Sequence, residues 1–378
     1  ELEVTQAALT ITADDKSKVY GEENPGLTFT YTGLVNGDTE VSDKPAISTT
    51  ATASSKVGTY PVTLTGGSDD NYAIKLVAGE LEVTQAALTI TADDKSKVYG
   101  EENPALTFTY TGLVNGDTEV SKEPAISTTA TASSIVGSYP VTLNGGSDDN
   151  YAIKLVAGEL EVTPAALTIT ADDKSKVYGE KTPALTFSYT GLVNGDTEVS
   201  DKPAISTTAT ANSNVGTYPV TLTGGSDDNY AIKLVAGELE VTQAALTITV
   251  DDKSKVYGEV NPALTFTYTG LVNGDKEVST EPAISTTATA SSDVGTYPVT
   301  LTGGSDDNYA ITLVAGDLEV TQAALTITAD DKSKVYGEAN PELTFTYTGL
   351  VNGDTGVSDK PAINTTATAS SGVGSYPV

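Results

Sequence analysis

The segment Glu-Leu-Glu-Val-Thr at Glu1 returns at Glu80, Glu159 and Glu238, and as Asp-Leu-Glu-Val-Thr at Asp317, each 79 residues further on. No insertion or deletion breaks this register. A fixed period of this size means serial copies of one small unit. It replaces the two or three ordinary domains that 378 residues would otherwise suggest. Four full periods leave 62 residues for a fifth, incomplete copy. Val378 stands at the position of Val62, inside a strand pattern, and Leu2–Thr5 is strand-like as well, so the sequence reads as a window on a longer array. Residues 1–6 are then the last strand of a preceding repeat. The repeats follow at 7–85, 86–164, 165–243 and 244–322, with an incomplete fifth at 323–378.

Within a copy the apolar period is 2, the mark of half-buried strands. Leu9 and Ile11 alternate with Thr10 and Thr12; Leu27, Phe29 and Tyr31 with Thr28, Thr30 and Thr32. Tyr60, Val62 and Leu64 continue the pattern, as do Tyr72, Ile74 and Leu76, and then Leu81 and Val83. Lys18–Tyr20 and Ala46–Thr52 are shorter candidates. Nothing of helical length shows period 3.6, and at most one turn fits around Asp38–Val41. Gly21, Gly33, Gly37, Gly58, Gly66, Gly67 and Gly79 punctuate the runs, and Asn36-Gly37 is a strong turn signal. Pro61 falls inside a strand pattern, which predicts a sheet edge or a bulge there. The expectation is an all-β, little-or-no-helix unit: one small antiparallel-rich sheet of roughly six or seven strands.

Composition excludes whole classes of chemistry. His, Cys, Met and Trp are absent, and all 20 basic residues are Lys. No Ser-His-Asp or Cys-His nucleophile, ordinary zinc site or disulfide is available. A net charge of −31 is wrong for nucleic acid or an anionic membrane, both of which require a basic face. No run of 18 or more apolar residues is present to span a bilayer in this segment. Hydrophobic residues make up 38%, enough to build patterned cores and to exclude low-complexity disorder.

The link between copies is short. Leu81-Glu82-Val83-Thr84 reaches Leu88-Thr89-Ile90-Thr91 across only Gln85-Ala86-Ala87. These residues are neither Gly/Ser-rich nor Pro-rich, and the prediction is a linear, extended rod with little bending.

Three stretches together carry a family resemblance: Lys18–Asp38 (KVYGEENPGLTFTYTGLVNGD), Val57–Leu64 (VGTYPVTL) and Asn71–Thr84 (NYAIKLVAGELEVT). In combination they resemble the MBG-type repeats, also described as YGX-type, mucin-binding-related, β-grasp-like modules of giant bacterial surface adhesins. The likeness covers every copy, although Thr182 replaces the Asn before Pro183 in the third. It implies a β-grasp-like fold and a cell-surface or secreted fibrous protein, in some relatives tied to adhesion or gliding. It brings no catalytic motif, and the mucin-binding label is not carried over as an activity.

Each candidate for chemistry has a competing plain reading. Asp14-Asp15, Asn36-Gly37-Asp38 and Ser68-Asp69-Asp70-Asn71 read as Ca²⁺ ligands at junctions or as Asp/Asn turns with solvated charge. No EF-hand or glycine-rich calcium loop accompanies them, and no cofactor is expected. Lys16, Lys18 and Lys75 with Asn71 raise an intramolecular Lys–Asn isopeptide bond, but the alternation turns Lys75 outward. Paired carboxylates suggest a glycosidase pair, yet the same residues recur in every copy without an insertion to form a cleft. Tyr20, Tyr31, Tyr60 and Tyr72 are either a ladder of exposed rings or core residues with a wet hydroxyl edge. The last three share phase with Leu, Phe and Ile, which favours core. Asn364-Thr365-Thr366 is a glycosylation sequon that occurs once, because the other copies carry Ser at that position. Position 56 of the repeat accepts Lys56, Ile135, Asn214, Asp293 and Gly372, as an exposed loop tip does.

No catalytic, cofactor or metal residue is therefore assigned. The expected role is a non-enzymatic spacer or stalk in a large bacterial cell-surface adhesin or extracellular filament. Its partners would be neighbouring repeats, with self-association into a fibre as a further option. The alternative is weak multivalent binding of a surface glycan or host glycoprotein by each repeat.

Overall fold

A computed structural model describes residues 1–378. It contains no helix. The first copy supplies seven strands: β1 (Ala7–Ala13), β2 (Lys16–Val19), β3 (Phe29–Thr32), β4 (Ala46–Thr49), β5 (Gly58–Thr65), β6 (Tyr72–Val77) and β7 (Gly79–Thr84). They form two sheets where the alternation alone suggested one. The first sheet has the order β3-β1-β6 and the second β2-β7-β5-β4. Each contains one parallel pair, β1 with β6 and β2 with β7, and otherwise pairs antiparallel.

The inward faces follow the period of 2. Ile11 stands opposite Tyr31 on one side and Leu76 on the other, and Leu9 stands opposite Ile74. Ile47 faces Leu64 across the second sheet. Leu9, Ile11 and Ala13 of the first sheet meet Val62, Leu64 and Leu81 of the second in one buried cluster, joined by Val41, Ala51 and Tyr72. Burial of these aliphatic side chains, at about 1.5–3 kcal/mol each, is the main force holding the two sheets face to face.

Pro61 corrects the sequence reading. Its strand β5 lies inside the four-stranded sheet, between β7 and β4, and not at an edge. The ladder tolerates it because β4 pairs only with Val62–Thr65, while β7 pairs with Gly58–Val62. At Pro61 the β4 flank is already open, so its missing N–H deprives no carbonyl of a partner. In the fourth copy the Thr286 hydroxyl donates to the Pro298 carbonyl at 2.9 Å on that flank.

The same sheet orders recur in the second, third and fourth copies; in the fifth, Thr326–Ala329 pairs with Phe345–Thr348. The chain packs into two compact units. One comprises residues 1–169, 189–203 and 224–233; the other comprises 170–188, 204–223 and 234–378. The first holds copies one and two with most of the third copy's three-stranded sheet. The second holds the third copy's four-stranded sheet with copies four and five.

Candidate functional site

The structural feature built from the most recurrent residues is the joint between successive copies. Strand β7 ends at Thr84 and the next strand, Ala86–Ala92, begins two residues later. The Tyr20 N–H donates to the Thr84 carbonyl at 2.9 Å, which extends the β2–β7 ladder to its last residue. The chain then turns at Gly21, with φ of 88°. This places the Tyr20 ring beyond the end of its own copy, against the next one.

Tyr20 is 7% exposed and meets Tyr151, 3% exposed, edge-to-face, with ring centroids 5.5 Å apart and planes at 86°. This is the arrangement ring quadrupoles favour. Both hydroxyls donate to the same carboxylate oxygen, Asp117 Oδ2: Tyr20 at 3.2 Å and Tyr151 at 2.7 Å. The Val114 N–H donates to the Tyr151 hydroxyl at 2.9 Å. Asp117 is aimed by the Asn-Gly turn before it, where Asn115 and Gly116 take φ of 55° and 80°. The turn closes with the Asp117 N–H donating to the Val114 carbonyl at 3.0 Å. A second hydrogen bond between the copies runs from the Val57 N–H to Asn150 Oδ1 at 3.1 Å.

The joint repeats. Tyr99 packs on Tyr230 and Tyr178 on Tyr309, both at 5.5 Å and 86°. Asp196 accepts from Tyr99 at 3.1 Å and from Tyr230 at 2.7 Å; Asp275 accepts from Tyr178 and Tyr309 at the same two distances. Val136 and Val215 N–H groups donate to Asn229 and Asn308. One apolar cluster accordingly contains Tyr20 and Val83 of the first copy together with Leu88, Ile90 and Val141 of the second. A second joins Tyr178 and Val241 to Leu246, Ile248 and Val299. Burial and ring contact together contribute roughly 2–4 kcal/mol per joint. Burial pushes the hydroxyls of Tyr151, Tyr230 and Tyr309 up to about 12, with the neighbouring aspartate carboxylate acting in the same direction.

The other candidates from the sequence resolve as follows. Asp15 Oδ1 accepts the Glu80 N–H at 2.8 Å, and Asp14 takes the Thr28 hydroxyl. Asp69 accepts backbone N–H groups of Asn71 at 2.8 Å and Ser42 at 3.0 Å, which hold its carboxyl below the ordinary carboxylate range. These carboxylates close turns, and no cluster of three or more acidic side chains is arranged to hold a metal ion. Tyr72 is buried, as its phase requires, and Tyr31 and Tyr60 are half-buried. Tyr20 is core as well, though the core it joins belongs to the next copy.

Lys75 is exposed, as the alternation requires. Lys18 is the surprise: it is 5% exposed, and its ammonium donates to the carbonyls of Glu22 at 2.9 Å and Thr52 at 2.5 Å. Beside it the Asn24 amide donates to the Ala51 carbonyl at 2.6 Å, so the two side chains staple the loop after Gly21 to the turn after β4. Lys18 is thus not brought onto Asn71, whose counterpart Asn150 serves the joint. A lysine in the inward phase of a short strand was the available signal for this staple.

The MBG domain (YGX type) family matches residues 9–82, 88–161, 167–240, 246–319 and 325–378. The chain belongs to this family. Its Tyr-Gly pairs at 20–21, 99–100 and 178–179 are the residues that enter the joints. No curated protein matches the chain. Among solved structures, the chain is similar to Drosophila N-cadherin EC1-4, with 9% identity over 83% of this chain and 99% of that one, at a TM-score of 0.22. It is also similar to domains 4-9 of the surface layer protein SbsC, with 14% identity over 88% and 67%, at a TM-score of 0.20.

Proposed function

We propose that this chain is a spacer: a serial array of MBG repeats that sets a fixed distance between whatever flanks it, on a bacterial surface adhesin or extracellular filament. The observation that carries the reading is the identity of the three joints. Each uses two tyrosines, one aspartate and one asparagine at distances that agree within 0.2 Å. Contacts that repeat at the same positions support a constant step from copy to copy, whereas the one-residue connection without them would hinge. The acidic charge is distributed over all copies, which opposes lateral pairing of strand edges.

Small-angle scattering and negative-stain electron microscopy test this reading. A spacer gives an elongated particle whose maximum dimension grows linearly with copy number, and removing the joint aspartates collapses that relation. A compact particle, or a length insensitive to Asp117, Asp196 and Asp275, refutes it. Binding of the array to a glycan panel, rising steeply with copy number, would instead favour multivalent recognition.

A further inference from the structure

Oxidation chemistry in proteins ordinarily falls first on Cys and Met. This chain has neither, nor Trp or His, so its 19 tyrosines are the only readily oxidised side chains. Oxidising equivalents delivered to the array have nowhere else to settle. The joints are where two tyrosines meet. Elsewhere the ring contacts pair Tyr with Phe, as in Phe29–Tyr31, Phe108–Tyr110 and Phe266–Tyr268.

The joint geometry suits phenol coupling in three respects. The two rings are in direct contact, with centroids 5.5 Å apart and planes at 86°. Both hydroxyls converge on one carboxylate oxygen, which brings the hydroxyl-bearing ends of the two rings together. That carboxylate is also a base within hydrogen-bond reach of the proton each phenol must lose as it gives up an electron. We propose that each joint is a site of oxidative tyrosine coupling, in which a one-electron oxidant links Tyr20 to Tyr151, Tyr99 to Tyr230 and Tyr178 to Tyr309 and turns a packed joint into a covalent one.

Each tyrosine gives one electron to the oxidant and its phenolic proton to the aspartate, which relays it to water. The two neutral radicals combine to form one carbon–carbon bond between ortho ring carbons. Each coupled ring then shifts its ortho hydrogen to the oxygen, restoring both phenols. The product is lighter by two hydrogen atoms, and two equivalents of oxidant are reduced. The coupling follows from the joint itself and holds whether or not the array is a spacer.

The third joint allows a direct test, because both of its tyrosines lie in sequences that no other copy shares. Trypsin releases Tyr178 as Val177–Lys181 (VYGEK), since Lys181 occurs only in the third copy. Tyr309 falls in the peptide Glu277–Lys332, where Tyr297 is the internal competitor. The full chain, dilute enough to remain monomeric, is illuminated with tris(bipyridine)ruthenium(II) and persulfate, digested and sequenced by mass spectrometry. The expected result is VYGEK joined to Tyr309, two hydrogens lighter than the sum, with dityrosine fluorescence in the monomer. Asp275→Asn, which preserves shape, is expected to lower this yield several-fold; Tyr178→Phe abolishes it, and 8 M urea during illumination disperses it to other tyrosines. Coupling of VYGEK mainly to Tyr297 or to a second chain overturns the proposal. So does a Tyr178–Tyr309 yield unaffected by urea, or by Asp275→Asn in a variant whose circular dichroism matches the parent.

Discussion

Alanine at the joint glycines separates backbone strain from contact between copies. Gly21, Gly100 and Gly179 have φ of 88°, 87° and 85°. A Cβ there would lie 2.6, 2.6 and 2.5 Å from Cγ2 of Val114, Val193 and Val272, each in the following copy. Valine is stiff at χ1 and cannot swing clear. Gly66, Gly145 and Gly224 have φ of 71°, 73° and 69° with nothing within 4 Å of the same Cβ, so they share the strain and lack the clash. Left-handed backbone costs an L-residue about 1–2 kcal/mol, offset by about 0.4–1 kcal/mol from the stiffer unfolded chain. Overpacking adds about 1–3 kcal/mol. The loop variant G66A/G145A/G224A should therefore lose about 0–1.5 kcal/mol per copy, and the joint variant G21A/G100A/G179A about 1–4.5. At about 4–8 °C per kcal/mol for domains of this size, calorimetry should place the joint variant at least about 4 °C below the loop variant. Equal losses would mean that the Tyr-Gly glycine serves only its own turn, and the packing of copies through these residues would be wrong.

Three further outcomes are expected. Asp196→Ala removes the acceptor shared by two buried hydroxyls, leaving Tyr99 without it and Tyr230 with only the Val193 backbone, and should cost about 2–4 kcal/mol in urea unfolding; Asp38→Ala, which serves Tyr72 alone, should cost about half as much. Alkali should loosen the joints. Tyr151, Tyr230 and Tyr309 are raised from an ordinary 10.0 to about 12 in the fold, so their contribution is complete below pH 10 and disappears as pH rises through 12. The urea midpoint should drop across that window and flatten in the triple Phe variant; a drop finished by pH 9 would contradict this. Lys97→Met removes the ammonium that holds the Glu101 and Thr131 carbonyls and should destabilise by about 2–4 kcal/mol. Lys154→Met, on the exposed face of its strand, should change the melting temperature by no more than about 0.5 kcal/mol is worth.

Much of the unit was legible because the signals are local. Alternation set the β class and placed Leu9, Ile11, Val62, Tyr72 and Leu81 inward, where they are buried. Glycine and Asn-Gly spacing marked the turns, and Asn36 and its four counterparts all take positive φ. The two-sheet arrangement was not legible, because alternation gives the face of a strand and not its neighbour. The parallel pairs β1–β6 and β2–β7 join residues more than 60 positions apart. Pro61 misled for a related reason: whether a proline breaks a ladder depends on how far the flanking strand extends. Lys18 in an inward phase was readable as an anomaly, but its partners are backbone carbonyls, which carry no sequence signature.

The sequence by itself determined the repeat, the all-β class, the inward residues and the lack of His, Cys, Met and Trp, since these depend on period, phase and residue inventory. Tertiary structure alone decided that Tyr20, the Asn-Gly-Asp turn and Asn71, three motifs of one repeat, act together only when supplied by two neighbours. Tyr20 and Asp117 are 97 residues apart and belong to different copies. One period contains every residue type of the joint without containing a joint. The site comes into existence when the edge of one folded copy meets the face of the next.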